Sequence, residues 1–75
     1  MKERNRVLVT LGLNVRRRRE ELDLTQEKLA EKAELDQTYI SGIERGLRNP
    51  GILNIAKLAK ALGMSTWQLC KGVDL

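Results

Sequence analysis

The sequence predicts an all-α fold, a compact domain of five helices in which the second and third form a helix-turn-helix. Three observations lead there. The run from 25 to 46 has the apolar spacing of two short helices that cross at a tight turn. Residues suited to capping stand at the start of both. The chain has 75 residues with one Pro, no Phe and 32% charged residues, which suits one small helical domain. A domain of that length buries only roughly 60% of its unfolded surface, so its core is marginal and dimerisation would help it.

Residues 1–8 read as a basic amino-terminal arm, 9–72 as the domain and 73–75 as a tail. In the first helix Leu11, Val15 and Leu22 recur at i, i+4 and i+11. Arg18 stands at the i+7 place, where its alkyl stem covers the core edge while the guanidinium reaches water. The block Arg16, Arg17, Arg18, Arg19 winds around the helix and cannot form one patch. In the second helix Leu29, Ala30 and Ala33 share a face, with Glu27, Lys28, Glu31 and Lys32 opposite. Ala30 is small enough for the close approach that a steep crossing demands. Thr25 precedes this helix as its cap, with Lys28 at the third position, and Asp36 caps the next.

Leu35 plugs the corner between these two helices, and Ile40 and Ile43 give the third an inner stripe. Gln37, Thr38, Ser41 and Gly42 face outward, and Gly46 is the stop. Spacing alone also describes an αα-hairpin of some small bundle. Ile52, Ile55, Ala56, Leu58, Ala59 and Leu62 give a fourth helix an apolar face that ends at Gly63. Ser65 caps a short fifth helix with Met64, Leu69 and Cys70 turned inward. Trp67 is left over: it is a candidate anchor of a dimer interface, assigned together with Leu69, or it closes the edge of the core.

The formal net charge of +4 is unevenly spread: residues 1–24 carry +3, residues 25–46 carry −2 and residues 47–75 carry +3. Attraction to phosphate must then come from the elements flanking the two central helices, and selectivity from uncharged side chains. With no His and a single Cys there is no metal-ligand spacing and no internal disulfide, and Cys70 reads as a small core residue. No nucleophile-base pair or phosphate-binding glycine loop is present, so neither enzyme activity nor a cofactor is expected. No apolar run approaches the length of a membrane span and no signal peptide is apparent, so a cytoplasmic location, in a bacterium or phage, is expected.

The stretch Leu24-Thr25-Gln26-Glu27 through Glu44-Arg45-Gly46 resembles the DNA-binding domain of the lambdoid phage repressor and Cro family. Residues 36–46, followed by Arg48-Asn49-Pro50, more closely resemble the small controller proteins that time restriction-modification gene expression. The likeness extends from about Leu11 to Gly72. It implies a transcription regulator that binds double-stranded DNA as a homodimer, with RNA polymerase as a further partner and no small-molecule ligand. A different class, a protein-binding antitoxin or accessory module on the same fold, stays open.

By the same resemblance Gln26, Arg45, Arg48 and Asn49 contact phosphate, and Arg48 can also enter the adjacent minor groove. Gln37, Thr38, Tyr39 and Ser41 face base edges, with Gln37 the main specificity residue because its amide can bond adenine bidentately. Tyr39 can equally pack against the loop. Arg19 and Glu44 are expected to form a salt bridge between the first and third helices. Three positions depart from the pattern: Glu34 stands where a turn glycine is commonest, Gly42 where phage repressors often present a polar side chain, and Gln37 where controllers often carry arginine.

Overall fold

The computed structural model describes residues 5–75. Its helices are α1 (Arg6–Glu21), α2 (Gln26–Ala33), α3 (Gln37–Glu44), α4 (Ile52–Ala61) and α5 (Thr66–Leu69), with no strand among the described residues. α1 packs on α3 and α5, α2 on α3 and α4, and α4 on α5. The centre is filled by Leu11, Val15, Leu29, Ile40, Ile43, Leu58, Leu62 and Leu69. Branched aliphatic side chains from every helix meet there, and this burial drives the fold.

Capping chemistry sets the helix starts as expected. Thr25 accepts a hydrogen bond from the Lys28 amide at 3.0 Å and Asp36 one from the Thr38 amide at 2.9 Å. Ser65 and Gln68 form a reciprocal capping box at α5. The turn between α2 and α3 passes through Glu34 in the left-handed region, φ 56°, the strained conformation expected of this non-glycine residue. Gly46 closes α3 at φ 72°, with Val9 of α1 packed so closely that a Cβ would lie 2.9 Å from its methyl group.

Several expectations need correction. Residues 6–8, expected in an arm, are helical instead, because Asn5 caps α1 by accepting from the amides of Val7 and Leu8; residues 1–4 of the expected arm lie outside the described residues. Leu22 is 39% exposed instead of completing the apolar stripe, since α1 ends at Glu21 and Asp23 turns the chain at φ 58°. Ile52 is 66% exposed and Ala56 is exposed too, so α4 rests on the core through Leu58, Ala59 and Leu62. Leu69 is fully buried in the chain's own core, so it exposes no surface of the kind the expected dimer contact would need.

The arginine block disperses around α1 as the spacing requires. Arg16 pairs with Glu20 on the surface, Arg18 donates to the Leu62 carbonyl at 3.0 Å, and Arg19 turns toward α3. Arg18 thereby satisfies a carbonyl at the end of α4. Asn14 does the same at the end of α5, donating to the carbonyls of Leu69 and Lys71 at 2.8 Å each.

Candidate nucleic-acid interface

The rigidity of the third helix begins with a glycine that periodicity passes over. Gly12 is buried at the crossing of α1 and α3, where a Cβ would lie 2.7 Å from the Glu44 carbonyl oxygen and closer still to that of Ile43. The missing side chain lets the two helices touch backbone to backbone, which brings Arg19 within reach of Glu44. The guanidinium donates from Nε to Glu44 Oε2 at 2.7 Å, from Nη2 to Glu44 Oε1 at 3.0 Å and from Nη1 to the Leu24 carbonyl at 2.8 Å. Gln26 donates its amide to Glu44 Oε1 at 3.1 Å. The side chains of Arg19 and Glu44 are 13% and 3% exposed, and the hydrogen bonds to Glu44 raise the pKa of Arg19. A group whose folded pKa is raised stabilises the fold below its unfolded pKa, so the arginine stays charged and bound across neutral pH.

This clasp orients Gln26 at the start of α2. One of its two amide protons is used on Glu44, leaving the other to donate outward at the helix end where four backbone amides also lack helical partners. At the start of α3 Gln37 and Thr38 are exposed and Ser41 is half-buried one turn further on. Tyr39 packs its ring against the core, and its hydroxyl accepts from Asn54 Nδ2 at 3.2 Å. Packing is therefore its first role, while the hydroxyl proton remains available to an acceptor.

Gly42 differs from expectation. It is buried, not outward-facing, because the Arg48 side chain lies across it; a Cβ there would fall 2.6 Å from Arg48 Cγ and 3.4 Å from its Nε. The missing side chain on α3 is replaced by an arginine stem from the following loop, which lays a guanidinium beside the exposed face of the helix. Arg45 is exposed and folds its Nε toward the Ser41 carbonyl at 3.3 Å, and Asn49 is exposed before the buried Pro50. Gln37, Thr38, Ser41, Arg45 and Arg48 thus belong to one helix and the loop that covers it, and Gln26 joins them through Glu44.

Gly12, Asn54 and the seat of Arg48 on Gly42 were missed from sequence. An isolated glycine between Leu11 and Val15 on a helical face was the available signal for the first, since such glycines often mark close packing. No spacing signal marks the other two. Among the described residues no group of metal-ligating side chains occurs and no helix is long and apolar enough to cross a membrane. Burial raises the pKa of the Cys70 thiol, in keeping with its place against the core.

A short, well-anchored helix that presents uncharged polar side chains, flanked by arginines, defines a DNA-binding transcriptional regulator of the helix-turn-helix class. Residues 15–66 match the helix-turn-helix family, and the chain belongs to it. It is similar to the control protein C.BamHI of Bacillus amyloliquefaciens, 46% identical over 61 residues that cover 80% of this chain and 75% of that one. The controller protein C.AhdI of Aeromonas hydrophila superposes with a TM-score of 0.81 at 44% identity, over 83% of this chain and 94% of that one. The restriction-modification controller C.Esp1396I, solved as a tetramer on its natural 35 base-pair operator, superposes with a TM-score of 0.83 at 36% identity, over 92% of this chain and 91% of that one.

Proposed function

We propose that the protein is a controller-like regulator that binds a near-palindromic operator as a homodimer and acts on its own promoter region. The observation that carries this is the amino-terminal turn of α3. Gln37 and Thr38 are exposed there while the helix's far end is fixed to α1 through Glu44 and Arg19. Rigid placement matters because a base contact needs its donor and acceptor held within tenths of an ångström. In this reading Gln37, Thr38 and Ser41 choose the bases, and Tyr39 adds its hydroxyl. Gln26, Arg45, Arg48 and Asn49 bind phosphate and set the register. The operator named for C.Esp1396I supports carrying duplex recognition over to this chain.

Selection from random duplex DNA, followed by salt titration of the winning sequence, tests the reading. Two half-sites about 34 Å apart are expected, with affinity falling steeply as salt rises. A pool with no enriched sequence overturns it. Replacing Gln37 by Ala should cost about 1–3 kcal/mol on the selected site and relax selectivity at one position of each half-site. Arg48→Ala should weaken binding nearly uniformly across sequences and lower the salt slope by about 1. Equal losses on all sequences for both variants would remove Gln37 from the base-reading role.

A further inference from the structure

Gly42 lies inside α3 on ordinary helical backbone, where glycine is a less stable choice than alanine. The three heavy atoms nearest a Cβ there all belong to one surface side chain: Arg48 Cγ at 2.6 Å, Nε at 3.4 Å and Cδ at 3.6 Å. Gly12 differs, since backbone carbonyls crowd it. The chain arrives over Gly42 through a Schellman motif. Gly46, at φ 72°, donates its amide to the Ile43 carbonyl at 3.0 Å, and Leu47 donates to the Gly42 carbonyl at 2.9 Å. That reversal sends Arg48 back along α3, and the fully buried Pro50 anchors the far side of the loop.

We infer that Gly42 is a positioning residue for DNA binding: its bare Cα seats the stem of Arg48 and holds the guanidinium ready at the reading face. The inference rests on the reading of Arg48 as a DNA contact. Position 42 lies one turn beyond Thr38, at i+4, so a stem laid over it continues the face that carries Thr38. Arg16, Arg18, Arg19 and Arg45 each donate to a carboxylate or carbonyl of the protein. Among the described residues no carboxylate pairs with Arg48, which leaves its donors to an outside acceptor. Held at the stem and free at the head, this side chain needs little ordering when it meets a phosphate oxygen. A methyl group on residue 42 would stand inside contact distance of Cγ and take the place of the stem. Arg48 is exposed and can swing aside, so the core survives while the preset position is lost. Folding and binding therefore ask for different residues at position 42.

Four full-length chains form the test: the parent, Gly42→Ala, Arg48→Ala and the double variant. Each is unfolded thermally and titrated with the selected duplex and, at low salt, with a random duplex of about 30 base pairs. Gly42→Ala should melt about 2–6 °C above the parent, because the helix gains a better former at an unstrained site. It should nonetheless bind duplex about 5-fold more weakly. In the Arg48→Ala background the same substitution should change affinity by less than about 2-fold. A glycine that served packing alone would show its loss in both backgrounds, so losses that add in the double variant overturn the inference. Gly42→Ala binding at the parent's affinity while Arg48→Ala is weakened overturns it too, and the DNA contact of Arg48 then stands. Arg48→Ala binding as tightly as the parent overturns that contact and the inference with it. A Gly42→Ala chain that melts below the parent would put the glycine among the contacts that hold the fold, again overturning the inference. A parent chain that binds neither duplex overturns the DNA reading and the inference together.

Discussion

Glu44→Gln should lower stability by about 3 kcal/mol, because it leaves the Arg19 guanidinium without its counter-charge where water barely reaches. The side chains involved are 13% and 3% exposed, far from the surface regime in which a salt bridge is worth little. Glutamine keeps the shape and one carbonyl acceptor but turns an amide toward a group that can only donate. Three donors now converge on the carboxylate, two from Arg19 and one from Gln26, and a single amide oxygen cannot serve them all equally well. For a chain of this size a loss of 3 kcal/mol corresponds to a fall in melting midpoint of roughly 12 °C or more. Thermal unfolding followed by circular dichroism measures it, with the exposed Glu27→Gln as a control expected within about 0.5 kcal/mol of the parent. At a temperature where the variant is folded, its selected DNA sequence should be unchanged, because none of the side chains proposed to read bases is altered. An unchanged midpoint would mean that Arg19 and Glu44 act as independent charges.

Gly12→Ala should destabilise by about 2 kcal/mol, and here two effects of opposite sign compete. Glycine inside a helix costs about 1 kcal/mol relative to alanine, so propensity alone favours the substitution. The new methyl would press on the backbone carbonyls of Ile43 and Glu44, which cannot rotate away as a side chain can. Forcing a methyl into a packed contact costs typically about 1–3 kcal/mol, and backbone neighbours place this case at the upper end or beyond it. α1 must then move off α3 and stretch the Arg19–Glu44 clasp, so this change and Glu44→Gln should fall short of additive in the double variant. Gly51, where a Cβ would meet nothing, is the steric control, and Gly51→Ala should lose no more than the about 1 kcal/mol by which an N-cap position prefers glycine to alanine. Denaturant titration of the four chains decides it; a Gly12→Ala variant more stable than the parent would show that the helices part without penalty.

Much of the fold was legible because it rests on interactions within a few residues. Thr25, Asp36 and Ser65 cap helices, and Gly46 and Gly63 terminate them, through chemistry that a short window of sequence contains. The apolar faces of α2 and α3 followed from periodicity, since Leu29, Ala30, Ala33, Ile40 and Ile43 are all buried. Periodicity failed where a helix ended. Leu22 matches the stripe of α1 but lies beyond its last turn, and Ile52 begins α4 before that helix reaches the core. The pairing of Arg19 with Glu44 came from resemblance and not from spacing, because 25 residues separate the two.

By itself, then, the sequence determined that the chain is helical, where its helices begin and stop, and which helix carries Gln37 and Thr38 to the surface. Tertiary structure alone decided that α1 meets α3 at Gly12, that Gln26 is oriented by Glu44, and that Asn54 holds the Tyr39 hydroxyl. It also decided that Arg48 covers Gly42, that Leu69 lies in the core and that Trp67 stays exposed. The reason is physical: a residue pattern reports which face of one helix avoids water, whereas a contact depends on the distance and crossing angle between two helices. Those are fixed only when side chains from all five helices fill the same core.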